Sequence, residues 1–110
     1  MSEASEEKLL RALGLCAKAR KLVFGTPMVC DALKEKRKPY LVVEAGDNSE
    51  NTRKRLEDRC GFYGVKKHRL EASGEALAHA VGKTGKVAAV AVTDENLALL
   101  ILGRLDKGTN

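Results

Sequence analysis

A few residues in this 110-residue chain have types and spacings that could do chemistry. Gly82-Lys83-Thr84 looks like the end of a phosphate-binding P-loop, but that motif needs a glycine five residues before Gly82, where Leu77 stands. His68 lies in a charged segment, and His79 has no cysteine or carboxylate near it at metal-ligand spacing. We therefore predict no catalysis, no metal site and no cofactor.

The three cysteines also give no indication of a metal site. Cys16, Cys30 and Cys60 are far apart, and each falls on the apolar face of a predicted helix. Small buried hydrophobic side chains are the better interpretation. An odd number of cysteines favours the reducing cytoplasm, and no stretch has the length of a membrane span or the pattern of a signal peptide. We expect a cytoplasmic protein that contacts no membrane.

Basic residues are the remaining chemical feature, and they suit a polyanionic partner. Lysine and arginine total 20 against 15 acidic residues, which gives a net charge of +5. Several of the cations fall in two clusters: Lys18, Arg20, Lys21, Lys34, Lys36, Arg37 and Lys38. Solvated helix ends that match the helix dipole explain these clusters as well as phosphate contacts do. Aromatic residues make up only 4% of the chain, so base stacking on an aromatic platform is not expected.

The stretch from Tyr40 to Arg59 is the element that would position a ligand. Its first four residues are apolar and predict a buried strand, and the chain becomes polar at Glu44. Asp47 and Glu50 have the spacing of a capping box, which predicts a helix start there. Because ligands usually bind at the carboxyl ends of strands in open α/β sheets, we expect the site in this loop.

The residues before this stretch predict two helices and a short strand. The first helix covers about Glu3 to Ala19, and Leu22-Val23-Phe24 is a strand closed by Gly25. Thr26 then caps a second helix in which Pro27 is the first residue and which runs to about Arg37. Its predicted inward-facing residues are Met28, Val29, Ala32 and Leu33.

The residues after this stretch continue the alternation of helices and strands. Gly61 ends the third helix, a charged edge strand covers residues 66–70, and Ser73 caps a short fourth helix. Residues 87–92 are the most apolar and predict a central strand, followed by a helix capped at Thr93-Asp94. The pattern predicts a single domain, residues 1–110, in which a sheet lies between layers of helices.

Three segments, in the order expected, resemble a known family. They are residues 13–26, the run Leu41-Val42-Val43 with residues 45–47 and 49–52, and Val90-Ala91-Val92-Thr93-Asp94. They are similar to the small bacterial branch of the kink-turn RNA-binding superfamily of ribosomal proteins, the large-subunit seven-Ae and thirty-e type. The resemblance implies a three-layer α/β/α sandwich around a mixed four-stranded sheet. It also implies a monomer that binds structured RNA, a kink-turn or ribosomal RNA, without a cofactor.

The resemblance also implies where the RNA binds. It points to the start of helix two, the loop after strand two and the loop before strand four, all at one end of the sheet. Amides at a helix N-terminus suit phosphates, and a sharply bent RNA is read by shape. The RNA-binding residues expected here are Arg20, Lys21, Gly25, Thr26, Pro27, Met28, Lys34, Asp47, Asn48, Lys83, Thr84 and Lys86.

The chain departs from the kink-turn pattern at three positions of helix two. Family members that bind kink-turns have asparagine, glutamate and lysine where this chain has Pro27, Met28 and Asp31. Gly46 also stands where the family has glutamate. We therefore predict generic RNA binding with weak preference for a standard kink-turn. A protein-binding module on the same fold, as in the growth-arrest branch of the superfamily, is the alternative.

Overall fold

The computed structural model describes the backbone of residues 3–108 and the side chains of residues 5–103. Helices and strands alternate along this range, as the sequence predicts. The helices are α1 (Glu3–Lys18), α2 (Thr26–Lys34), α3 (Glu50–Tyr63), α4 (Gly74–Ala80) and α5 (Glu95–Gly108). The strands are β1 (Leu22–Phe24), β2 (Leu41–Glu44), β3 (Lys67–Arg69) and β4 (Ala89–Val92).

The four strands form one mixed sheet in the order β1-β4-β2-β3. Strand β4 is antiparallel to both β1 and β2, with Phe24 opposite Val90 and Glu44 opposite Ala89. Strand β3 is parallel to β2 and forms an edge. The predicted central position of the most apolar segment and the edge position of the charged segment are both confirmed. It follows that the C-terminal ends of β1, β2 and β3 lie at the same end of the sheet, and that β4 begins there.

Both faces of the sheet are covered, which confirms the three-layer sandwich. Successive strand residues point to opposite faces. Leu41 and Val43 therefore belong to the larger core cluster, which includes Leu13 of α1, while Val42 belongs to the smaller one with Leu33 of α2. Every residue of β2 and β4 is buried, so these two strands need apolar side chains on both faces.

Helix α3 differs from its prediction at both ends. Its N-cap is Ser49, whose hydroxyl accepts a hydrogen bond from the Thr52 amide at 3.2 Å, and not Asp47. The helix continues through Gly61 to Tyr63, and Gly64 ends it in the left-handed conformation with φ 70°. Gly64 makes that conformation possible without strain, whereas Gly61 is an ordinary helical residue.

Three further expectations are wrong around α2 and β2. Met28 is 58% exposed and does not face inward, although Val29 and Leu33 are buried. Helix α2 ends at Lys34, three residues earlier than about Arg37. Glu44 was expected in a polar loop, yet it is the last residue of β2 and is fully buried.

The three cysteines are buried, as predicted, and form no disulfide. Burial raises the pKa of the Cys60 thiol to about 11, although Lys67 lowers it in part. Among residues 5–103, no group of three or more histidine, cysteine or acidic side chains could hold a metal ion. No described helix has both the length and the apolar character needed to cross a bilayer.

Candidate functional site

Three segments meet at the end of the sheet where β1 and β2 finish and β4 begins. This end is called the site end. The amide of Gly25, which follows β1, donates a hydrogen bond to the Ala89 carbonyl at 2.8 Å. After β2, the Ala45 amide and the Asn48 side-chain amide both donate to the Ala88 carbonyl, at 2.9 and 2.8 Å. The start of α2, the loop after β2 and the chain entering β4 are therefore held together by hydrogen bonds.

The N-terminus of α2 opens at this edge without a side-chain cap. Its N-cap is Gly25, with φ 88°, so the expectation that Thr26 caps the helix is wrong. Thr26 and Pro27 are instead the first two helical residues. The reason is the bond from Gly25 to β4, which turns the chain at a backbone conformation that glycine adopts readily.

The chemistry of this helix start favours an anion. No acidic residue lies in the first turn, so the positive end of the helix dipole is uncompensated there. The amides of Thr26 and Met28 have no intrahelical partner, because the first amides of a helix cannot reach one. The buried hydroxyl of Thr26 has no hydrogen-bond partner within the described residues. Pro27 contributes no amide hydrogen, so this helix start presents fewer donors than most.

The loop after β2 is fixed by contacts with the chain on the other side of β3. The Gly46 amide donates to the Ala72 carbonyl at 2.8 Å, and the Asp47 carboxylate accepts from the Gly74 amide at 2.8 Å. A Cβ atom at Gly46 would collide with the carbonyl oxygens of Leu70 and Glu71. The glycine that departs from the family pattern is thus required by a close backbone approach. Asp47 supports the start of α4 rather than that of α3.

Two residues that sequence reasoning did not select also support this loop. The Glu6 carboxylate on α1 accepts hydrogen bonds from the amides of Glu71 and Ala72, both at 2.8 Å. Arg69, at the end of β3, donates to the Gly46 carbonyl at 2.8 Å and remains exposed. Arg69 therefore adds a cation to the site end, next to the loop after β2.

The loop before β4 supplies most of the charge at this edge. Lys83, Thr84 and Lys86 are all exposed. Gly82 at φ 76° and Gly85 at φ 77° flank Lys83 and Thr84, and Lys86 follows Gly85. The Lys83 ammonium lies 4.6 Å from the ring centroid of Phe24, the last residue of β1. This cation–π contact brings the loop against the segment that leads into α2.

The structure brings together most of the predicted site residues but not all. At the site end lie Gly25, Thr26, Pro27, Met28, Asp47, Asn48, Lys83, Thr84 and Lys86. Arg20 and Lys21 instead precede β1, at the opposite end of that strand, where the Lys21 carbonyl accepts from the Thr93 amide. Lys34 is the last residue of α2, about 12 Å along the helix from its start. These three cations belong to other surfaces.

The two histidines differ in environment. His79 is exposed in the last turn of α4. His68 on β3 is half-buried, and its Nε2 atom has no hydrogen-bond partner within the described residues. Burial lowers the pKa of His68, although Glu6 raises it in part. This lowered pKa favours the neutral form of the His68 imidazole.

Comparison with known proteins identifies the family. Residues 7–100 match the model of the ribosomal protein L7Ae/L30e/S12e/Gadd45 family. The chain is 37% identical over 94 residues to RNA-binding protein YlxQ of Bacillus subtilis (strain 168), covering 86% of this chain and 91% of that protein. It is 34% identical over 88 residues to RNA-binding protein YlxQ of Enterococcus faecium, covering 79% and 82% of the two chains.

Solved structures agree with this match. A protein of unknown function from Bacillus halodurans C has a TM-score of 0.82 and 29% identity, over 90% of this chain and 97% of the other. The 15.5 kD RNA-binding protein of Giardia lamblia has a TM-score of 0.78 over 97% of this chain and 92% of the other, and its 18% identity makes this a likeness of fold. The family resemblance found in the sequence is confirmed, and the chain belongs to the ribosomal protein L7Ae/L30e/S12e/Gadd45 family.

Proposed function

We propose that this protein binds structured RNA through the site end and carries out no catalysis. The observation that carries the proposal is the meeting of an uncapped helix N-terminus with two loops and exposed cations. The relatives in Bacillus subtilis and Enterococcus faecium are RNA-binding proteins by name, which supports it. The net charge of +5 and the three free, buried cysteines suit RNA binding in the cytoplasm.

The residues of the site end have two kinds of role in this proposal. Lys83, Lys86 and Arg69 contact phosphates, since they are exposed side chains at the site end, with Lys83 against Phe24 and Arg69 against the loop after β2. The side chains of Asp47 and Asn48 form hydrogen bonds with the backbone of Gly74 and Ala88, so they position the loop. Phosphate contacts of this kind fix the orientation of an RNA and carry little sequence information. Recognition then depends on the shape of the RNA, with weak preference for a standard kink-turn.

The salt dependence of binding tests this function. Ribosomal RNA fragments are titrated with the protein at several salt concentrations. Phosphate contacts predict that the logarithm of the binding constant falls with the logarithm of salt, with a slope of about −0.7 to −0.9 per contacted phosphate. Binding that is absent at low salt, or indifferent to salt, would contradict the proposal and favour a protein partner.

A double variant locates the contacts. Changing Lys83 and Lys86 to alanine should weaken binding to the fragments. It should also reduce the magnitude of the salt slope by the amount expected for about 2 phosphate contacts. Stability should fall by no more than about 1 kcal/mol, because both side chains are exposed and Lys83 loses only its cation–π contact with Phe24. The matched control changes Lys8 and Lys18, two exposed lysines of α1, to alanine. Equal losses in both double variants would show that only total charge matters, and would overturn the placement of the site.

A further inference from the structure

A second surface of unusual chemistry lies at the opposite end of the molecule. Helices α2 and α3 both begin at the site end, after Gly25 and after the loop that contains Asn48. Both therefore run away from it, and their C-terminal ends lie together. The far-end patch consists of residues Lys34, Lys36, Arg37, Lys38, Phe62 and Tyr63.

Two aromatic rings form the centre of the far-end patch. The Phe62 side chain is 81% exposed. Its ring meets the Tyr63 ring edge to face, with centroids 4.8 Å apart and planes at 86°. The Lys38 ammonium lies 4.9 Å from the centroid of the Tyr63 ring. The Phe62 ring is thus held in place by a neighbour while most of its surface faces solvent.

Four cations lie at the end of α2 and in the residues that follow it, and Lys38 is the one in contact with a ring. Residues 34–38 hold four basic side chains and one acidic one, Glu35. The Lys38 ammonium donates to the backbone carbonyl of Glu35 and not to a carboxylate. None of the four basic side chains is ion-paired within the described residues, where the ion pairs are Arg53–Glu50 and Lys67–Glu44. Asp58 and Arg59 on the preceding turn of α3 cancel in charge.

The low aromatic content argues against base stacking, but one ring is 81% exposed beside basic residues. We propose that the far-end patch binds single-stranded nucleic acid, with one base stacked on Phe62 and adjacent phosphates on Lys34, Lys36 and Arg37. Single-strand sites combine a ring on which a base stacks with cations that follow the backbone. A duplex keeps its base faces stacked inside the helix, so an exposed ring has nothing to stack on there. The patch is separate from the site end, and it adds a second nucleic-acid surface to the function proposed above.

Intrinsic fluorescence gives a direct test on the intact protein. The chain has no tryptophan and two tyrosines. Tyr63 lies in the far-end patch, and Tyr40 precedes β2 at the same end of the sheet. A single strand of about 12 uridines, within the range of about 4–16 nucleotides of known single-strand modules, serves as the probe. We expect it to quench tyrosine emission in a saturable, salt-dependent manner. Absence of binding at low salt would overturn the proposal.

Substitution of Phe62 separates stacking from charge. Phe62→Ala should weaken oligouridine binding about tenfold, whereas Phe62→Tyr should retain it. The matched control is Leu15→Ala, which removes a side chain that is 59% exposed on α1. The double change Lys36→Ala and Arg37→Ala should weaken binding and reduce its salt dependence. Unchanged binding in Phe62→Ala would overturn the proposal. If polyglutamate displaces oligouridine equally well from the unmodified protein and from the Phe62→Ala variant, the patch binds any polyanion, which would also overturn the proposal.

The two proposed surfaces fail independently. Phe62→Ala should leave binding of structured ribosomal RNA fragments intact. Changing Lys83 and Lys86 to alanine should leave oligouridine binding intact. If the change of Lys83 and Lys86 weakens binding of both oligouridine and structured RNA, and Phe62→Ala weakens neither, the far-end patch is not a binding site while the site end remains one. If Phe62 controls oligouridine and no variant affects structured RNA, the far-end patch is supported and the site end is not.

Discussion

Glu44 shows how a single residue can contradict its surroundings in the sequence. It is fully buried at the end of β2, where one carboxylate oxygen accepts a hydrogen bond from the Lys67 ammonium on β3. The other oxygen is buried and has no partner within the described residues. Burying a carboxylate is costly unless a cation compensates it, so Lys67 is necessary for Glu44 to stay in the fold.

This dependence predicts a large effect for one lysine of the edge strand. Lys67→Ala should lower the free energy of unfolding by about 3–5 kcal/mol, because Glu44 would be left buried without its cation. The Lys67 side chain is 16% exposed, which favours the lower part of that range. Denaturant unfolding measures the loss. Lys66→Ala, the exposed neighbour, is the control and should change stability by no more than about 0.5 kcal/mol.

The reverse experiment separates the pair from the strand. Replacing both members together, as Glu44→Leu and Lys67→Met, should recover most of the stability lost in Lys67→Ala. A buried ion pair replaced by apolar residues of similar volume is often neutral or stabilising. A double variant no more stable than Lys67→Ala would show that β3 needs the lysine itself and that Glu44 is not the cause.

At the level of elements, the predictions that succeeded depend on local spacing. Ser73 and Asp94 cap α4 and α5 by accepting from the amides three residues on, which a short window of sequence can show. Apolar runs likewise identified β1, β2 and β4 and the central position of β4, and the charged segment at residues 66–70 identified β3 as an edge strand. These features need no knowledge of how distant parts of the chain meet.

The predictions that failed depend on distant contacts. Gly25 caps α2 because its amide bonds to β4, and Asp47 serves α4 rather than α3 because the chain after β3 passes beside it. Glu6 holds the chain after β3, and Arg69 holds the loop after β2. Finding them requires the order and direction of the strands, which composition and periodicity do not contain. For the same reason, the sequence alone does not show that Arg20, Lys21 and Lys34 lie away from the site end.

The exposed first turns of α2 give a prediction about RNA choice. The unmodified protein should bind a standard kink-turn little better than a plain duplex. The triple change Pro27→Asn, Met28→Glu and Asp31→Lys should raise kink-turn affinity well above duplex affinity, because it restores a side-chain amide, an acceptor and a cation. Each good base contact in well-studied duplex complexes discriminates by about 1–3 kcal/mol, which sets the scale.

The structure simplifies the control for this variant. Met28 is 58% exposed and Asp31 is exposed, so neither change opens a cavity in the core. The melting temperature should therefore stay close to that of the unmodified protein. Selective, tight kink-turn binding by the unmodified protein would contradict this interpretation and would assign recognition to the loops next to α2.

At the scale of the whole molecule, the two proposed surfaces lie at the two ends of the same helices. Helix α3 begins at the site end and carries Phe62 and Tyr63 in its last turn. Its 14 residues are about 21 Å long, so one RNA could occupy both the site end and the ring of Phe62 only if it extends across about this length. Linking two binding events in this way raises overall affinity without any new contact, provided that the linker spans the distance.

This geometry predicts how affinity depends on the length of a single-stranded tail. A structured ribosomal RNA fragment is compared with the same fragment carrying a uridine tail of about 3 or about 12 nucleotides. At about 3.4 Å per nucleotide in a stacked strand, the long tail covers about 40 Å and the short one about 10 Å. The fragment with the long tail should therefore bind at least tenfold more tightly than the bare fragment, and the short tail should add little.

Phe62→Ala should abolish the gain in affinity from the long tail and leave binding of the bare fragment unaffected. A gain that is equal for both tails, or that survives in Phe62→Ala, would mean that the tail binds next to the site end and that one RNA does not span the domain.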